Sequence, residues 1–395
     1  NCEWGSGGVI HNGFESVNAL LVGLAKDYGA SLAVWTHLIK RATVLDQQYR
    51  FKNDFVQSFV DQYCRTFASG RCYQASYYLT FVLKHQELHQ GMAQLQRILA
   101  MANQTLGKFS ARVLEIVEHG PGVYSCEHAE FLASLYNLKN ERVPLNGTPV
   151  SQSIVNCNHY FGYDVMETHN SNAVDRRHAV FYLLRDFPNQ TRSGMFDFLL
   201  NSPYEFVLSQ SMILTSNSKA LKAIDAQINK LQSTADGAGH QIEELAFGRG
   251  YLASGEIAFG DYQATLMVLG NGAAATVANG EALSSEFFTF GQGARWVRTT
   301  TDSLYAFSSM FPGSKNRPLA SPRSTTNLSC GFSMHNHAMG KKSGNPIGDG
   351  SAAMPLKTVS DSLFFLNCHA SPLHQNVIGE KYPGHVLMLG ETGAG

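Results

Sequence analysis

The chain has 395 residues, with 30 Lys and Arg against 31 Asp and Glu, a formal net charge of -1, 44% hydrophobic and 15% charged residues. That length allows two or three domains with enough chain to bury real cores, and the apolar content excludes a disordered chain. The near-zero charge argues against wrapping nucleic acid or an anionic membrane by bulk electrostatics.

Residues 32–39 form an apolar, β-branched and aromatic run that predicts a buried strand. Phe51, Phe55, Phe59, Tyr63 and Phe67 then recur every four residues and predict a helix with aromatics along one side. Residues 77–83 predict a second strand, and Leu88, Met92, Leu95, Leu99, Ala102 and Leu106 alternate spacings of four and three along an amphipathic helix. Residues 140–153 are rich in Pro, Gly and polar side chains and mark a subdomain boundary. A similar order then returns. Residues 205–214 predict a strand, Leu221, Ile224, Ile228, Leu231 and Ala235 a helical stripe after the capping candidates Ser216 and Asn217, residues 257–269 a strand and residues 273–288 a helix. The repeated order is compatible with an internal duplication. Residues 311–355 show no periodicity and predict a linker. Residues 356–358 and 363–367 predict a hairpin with Ser360 and Asp361 near its turn, and the apolar run 386–389 ends in Gly390.

These elements predict an α/β chain of strand-helix units; an α+β accessory region followed by the first strands of a phosphate-loop domain is what the terminal glycine motif and a family resemblance imply. The expected divisions are an amino-terminal α/β subdomain at 1–150, a second α/β subdomain with a long central helix at 151–310, a linker at 311–355 and the start of the nucleotide-binding domain at 356–395. The chain opens at Asn1 and stops at Gly395 within a glycine-rich run, which leads us to expect a piece of a longer polypeptide. No run of 18 apolar residues exists, the stretch 19–25 being far too short to span a bilayer. Seven cysteines, none in Cys-x-x-Cys spacing, predict thiols of a reducing, cytoplasmic compartment, so Asn-x-Ser/Thr at Asn103, Asn146, Asn189 and Asn327 reads as chance.

The motif with most chemistry lies at the end. Gly390, Glu391, Thr392, Gly393, Ala394 and Gly395 fit the first six positions of the phosphate-binding loop, Gly, four residues, Gly, Lys, then Ser or Thr. Glycines let backbone N–H groups turn inward around phosphates, the following helix aims its positive end at the anion, Lys neutralises charge and the hydroxyl holds Mg²⁺. A glycine-rich terminal turn is the competing reading. His85 and His89 stand four apart around Glu87 on one predicted helical face, but the order differs from the zinc-protease pattern, so a solvated helix start is the better reading. Cys330, His335, His337, Cys368 and His369 match no zinc module. Lys315, Arg317, Arg323, Lys341 and Lys342 make a locally basic loop, read as a solvated linker before an anion-binding patch. Gly5, Gly7 and Gly8 lack a preceding strand.

Taken together these residues resemble a family, the large ATPases of type IV secretion and conjugation systems, the CagE/TrbE/VirB group often called VirB-four. Trp35, Thr36, His37, Leu38, Ile39, Lys40 and Arg41 look like the family's early strand, which carries His and basic residues at its end. The stretch 202–211 is similar to its acidic-aromatic strand before the central helix. Residues 344–348, 356–358 and 365–369 resemble the approach to its nucleotide loop. Asp361, Ser362 and Leu363 depart from the family's Gly-Thr-Pro, so the hairpin turn is expected to differ in shape.

The resemblance implies an accessory domain in front of a RecA-like motor that binds ATP and Mg²⁺, both completed by residues beyond Gly395, with no catalytic residue and no metal ligand inside the chain. It implies assembly into hexamers and contacts with inner-membrane secretion subunits and other secretion ATPases on the cytoplasmic face of the bacterial inner membrane. It also implies ATP hydrolysis that powers pilus assembly and passage of protein or DNA. A docking or scaffold module without chemistry, and a DNA-pumping ATPase of related build, are the alternatives; direct nucleic-acid binding is left open.

Overall fold

The computed structural model describes residues 7–69, 72–109, 111–170, 176–233, 239–373, 375–380 and 384. The chain runs α1 (Gly7–Tyr28), β1 (Leu32–Thr43), α2 (Asp54–Ser69), β2 (Cys72–Leu83) and α3 (Leu88–Leu106). It continues through β3 (Ile116–Gly120), β4 (Val123–Cys126), α4 (Glu127–Asn137), α5 (Val150–Ser153), β5 (Cys157–Phe161), β6 (Met166–Asn170) and β7 (Arg176–Asp186). Next come β8 (Glu205–Leu214), α6 (Asn217–Ser233), α7 (Gly239–Ser254), β9 (Phe259–Gly270), α8 (Ala273–Phe290), β10 (Arg295–Thr299) and α9 (Ser303–Ser309). Last are β11 (Ser321–Ser324), α10 (Thr325–Cys330) and the hairpin β12 (Met354–Lys357) and β13 (Leu363–Leu366).

One large sheet organises the molecule, with strand order β2-β1-β8-β9-β7-β6-β5; β10 also pairs with β7, and β11 with β9. Every strand-to-strand pairing among the described residues is antiparallel. The mixed α/β class therefore holds, in its α+β form. The two strand–helix–strand–helix units stand back to back, β1 against β8, each with its second strand outward.

The sheet is covered on both faces, so its central strands are apolar almost continuously rather than alternating with polar residues. Side chains of a strand alternate between faces, and the burial follows that alternation. Val34, Leu38, Phe206, Leu208, Tyr262, Leu266, Val180 and Tyr182 join Leu20, Leu24, Ile98, Ala102, Leu283 and Phe287 of α1, α3 and α8. Ile39, Val207, Met267, Ala179 and Phe181 face the other way, onto Phe131 and Leu135 of α4 and Ala306 and Phe307 of α9. Gly280 lets α8 approach β7, since a Cβ there would stand 2.7 Å from both Val180 Cγ2 and Tyr182 Oη.

Two expectations about organisation differ from this arrangement. Strands from both sides of residue 150 share the sheet, because β1 pairs with β8 along eight residues of register, so the connection at 140–153 does not separate two cores. Residues 311–355 are not a solvated linker. β11 extends β9, α10 begins with a capping box between Ser324 and Asn327 and buries Thr325, Leu328 and Cys330. The stretch lacks periodicity because its order comes from tertiary contacts. The helix expected from Phe51 to Phe67 forms as α2 only from Asp54, with Phe55 and Phe59 80% and 65% exposed and Phe67 buried.

Candidate functional site

The phosphate-loop pattern Gly390, Glu391, Thr392, Gly393, Ala394 and Gly395, and the apolar run 386–389 before it, lie outside the described residues. β12 and β13 form the expected hairpin, and Asp361 adopts a left-handed φ of 60° at its turn, while the Asp361 carbonyl accepts from Tyr73 N at 2.8 Å. Gly340 bridges Phe365, and only glycine fits there: a Cβ would meet the Phe365 carbonyl oxygen at 2.0 Å.

Lys341 ties this region together. Its ammonium is buried and donates to Ser371 Oγ at 2.6 Å, to the Pro372 carbonyl at 2.8 Å and to the Gln375 carbonyl. Its own carbonyl accepts from Asn345 Nδ2 at 3.0 Å and Asn367 Nδ2 at 2.7 Å, and Val377 N donates to Gly344 O at 3.0 Å. Lys341→Met keeps the shape and leaves three oxygens without their charged donor, which is expected to cost about 3 kcal/mol. Proteolysis should then cut near residue 375 while the sheet stays intact; cutting at the rate of the unaltered chain would contradict the clasp.

Three other basic residues of 311–355 have partners inside the chain, while Lys315 is exposed. Arg317 holds Asp261 Oδ2 at 2.8 Å and the Ser211 carbonyl at 3.1 Å. Lys342 pairs with Asp46 at 2.5 Å, and Arg323 lies 5.1 Å over the Phe187 ring. The histidine pair also separates: α3 begins at Leu88, so His85 precedes the helix and its ring packs over Gly91. Among the described residues no group of three or more His, Cys, Asp or Glu could hold a metal ion. His335 Nδ1 instead meets Asp197 Oδ2 at 2.7 Å, and burial pushes the Cys330 thiol up to about 11.

The end of β1 is where buried polar chemistry concentrates. His37, Lys40 and Arg41 are at most 6% exposed, and alternation sends Lys40 to one face and His37 and Arg41 to the other. His37 Nε2 donates to the Met310 carbonyl at 2.7 Å, its ring stands edge-on to Phe131, and burial pushes it down to about 4. Lys40 Nζ donates to the carbonyls of Leu200 at 2.6 Å and Ser202 at 2.5 Å and lies 5.0 Å over the Tyr73 ring; burial pushes it down to about 8 against the pull of Asp361 and Glu286. Arg41 Nη2 donates to the Ser134 carbonyl of α4 at 3.2 Å, and Arg41 lines a cavity of about 460 Å³ between the end of β1 and α4. Sequence reasoning saw these residues as one strand motif and missed the cavity; the available signal was Lys and Arg adjacent at the end of an otherwise apolar strand.

Among the described residues no helix is long and apolar enough to cross a membrane. Residues 112–317 match the model of the CagE, TrbE, VirB family, component of type IV transporter system. Residues 11–90, which hold β1, α2 and β2, match the type IV secretion system ATPase VirB4/TrbE, N-terminal domain. The chain is 25% identical over 420 residues to type IV secretion system protein virB4 of Bartonella henselae, covering 98% of this chain and 49% of that protein. It is 24% identical to the virB4 protein of Brucella abortus, over 96% of this chain and 48% of that one. To the PtlC protein of Bordetella pertussis it is 25% identical, over 92% and 46%. The chain thus spans about half the length of the curated relatives it matches. With the first model matched over half of its residues, this chain belongs to the CagE, TrbE, VirB family, a component of type IV transporter systems.

Proposed function

We propose that the chain is the amino-terminal portion of a type IV secretion ATPase whose nucleotide loop begins at Gly390. The observation that carries this reading is the match of residues 11–90 to the amino-terminal domain of such ATPases, on a chain whose residues 390–395 have the glycine spacing of a phosphate loop. In this reading backbone N–H groups of 390–395 cradle the α and β phosphates of ATP. The Lys, the Mg²⁺-binding hydroxyl and the acidic residues for metal and water follow in the rest of the polypeptide. The described sheet carries the accessory role: it seats the motor on inner-membrane secretion subunits at the cytoplasmic face. There the ATPase works as a hexamer that drives pilus assembly and passage of protein or DNA.

The exposed side of α2 supports the docking half of this proposal. Phe55 and Phe59 are 80% and 65% exposed one turn apart on α2, with the 44% exposed Phe51 just before its start, and large aromatics left in water favour a covering partner. The test of the enzymatic half is ATP turnover by the full-length polypeptide beside residues 1–395 alone. Turnover by the first and none by the second is expected. Turnover by neither, with nucleotide present and the protein folded, would reduce the parent to a scaffold.

A further inference from the structure

β2 stands at one end of the strand order of the large sheet, and it lacks the features that blunt an edge. Its residues Cys72–Leu83 include no charged side chain and no proline, and it pairs with β1 through all of them without a bulge. An edge that is long, uncharged and regular is a template for pairing with another chain. The strand at the other end of the order, β5, is only 5 residues long.

The outward row of β2 can be read residue by residue. In an antiparallel strand the N–H and C=O of one residue point to the same side, and successive residues alternate. Tyr73 N donates to the Asp361 carbonyl at 2.8 Å, and the Ala75 carbonyl accepts from Asn336 Nδ2 at 2.7 Å, so the odd-numbered residues turn away from β1. Lys84 N donates the other way, to Ser31 O at 2.8 Å. The chain thus covers its own edge at Tyr73 and Ala75, and both are buried there. From Ser76 to Leu83 every residue is partly exposed. Among the described residues no backbone hydrogen bond reaches the outward N–H and C=O groups of Tyr77, Leu79 and Phe81.

We propose that this open stretch is an interface between two copies of the chain, their β2 strands pairing antiparallel about a twofold axis at Thr80. The strand matches itself in that register: Leu79 of one copy exchanges both backbone bonds with Phe81 of the other, Tyr77 stands opposite Leu83, and Thr80 opposite Thr80. With no charge in the strand, no like charges meet across the axis. Tyr, Leu, Thr, Phe and Val are well suited to a pleated, half-buried surface. The sheet then runs continuously through both copies. The contact uses neither nucleotide nor residues 390–395, so its failure leaves the ATPase reading standing.

Light scattering of the 395-residue chain without nucleotide, over about a hundredfold range of concentration, is expected to show a monomer–dimer equilibrium. Thr80→Lys sets like charges directly opposite and should weaken the dimer about tenfold, as should Thr80→Glu. An equimolar mixture of the two variants should restore it as a heterodimer. Hydrogen exchange on the unaltered chain decides if either variant fails to fold. The amides of Tyr77, Leu79 and Phe81 should exchange more slowly as concentration rises, while those of Tyr78, Thr80 and Val82, directed at β1, stay protected throughout. A chain that stays monomeric leaves the edge to a foreign strand and overturns the proposal. A dimer indifferent to both substitutions, or exchange at residues 77, 79 and 81 that ignores concentration, overturns it as well.

Discussion

Lowering the pH from 7 to 4 is expected to cost the folded state about 4 kcal/mol, most of it from one side chain. His37 is fully buried and held neutral at about 4, whereas in the unfolded chain it takes a proton near 6.5. Between those values the unfolded state binds more protons, so stability is complete above pH 6.5 and falls as the pH drops towards 4. A shift from 6.5 to about 4 corresponds to about 3 kcal/mol. His159 is also pushed down to about 4 by burial, in a ring of Tyr136 at 4.6 Å and Phe307 at 4.9 Å. Its partial exposure reduces its share to about 1 kcal/mol. The carboxyl of Glu127, lowered to about 2 by Arg112, adds its loss mainly below this window. Urea unfolding at pH 7, 5.5 and 4.5 measures the slope. His37→Gln should remove most of it, and a slope unchanged by that substitution would show that His37 is not the titrating group.

Phe287→Ala is expected to cost about 4 kcal/mol. Phe287 is fully buried on the inner face of α8, edge-on to Phe196 at 5.4 Å and Phe198 at 5.1 Å and 4.7 Å from the Trp296 ring. These contacts join α8 to β10 and to the turn Asp197–Asn201 that precedes β8, so removing the ring opens a cavity where three segments meet. Such aromatic pairs add to the area they bury. A loss below about 1.5 kcal/mol would mean that the site collapses around the missing ring.

Strands with a clear apolar or alternating pattern were legible. β8 spans the predicted residues 205–214, and the β12–β13 hairpin appears where two short apolar runs flank Ser360 and Asp361. β7 was missed although it lies mid-sheet, because its apolar core, residues 179–184, is flanked by Arg and His that suggest a polar stretch. α1 was missed because the run 19–25 drew attention only as a bilayer candidate, while Phe14, Val17, Leu21 and Leu24 carry a buried helical stripe. The period of α2 was legible and what covers its aromatic side was not, since periodicity reports which residues share a face and not what lies against it. At the candidate site, the glycine spacing of 390–395 is legible by pattern alone. The cavity around Arg41 is not, because Gln74, Glu127, Ser134 and Arg142 line it from separate segments.

We propose that a nucleotide loop starts at Gly390 in this family member. Its most direct test is ATP turnover by the full-length polypeptide with and without Gly395→Val, which puts a branched side chain where phosphate must approach the backbone. Measurable hydrolysis that falls about 100-fold or more with the substitution is expected. Turnover unchanged in Gly395→Val would place the nucleotide elsewhere and contradict it.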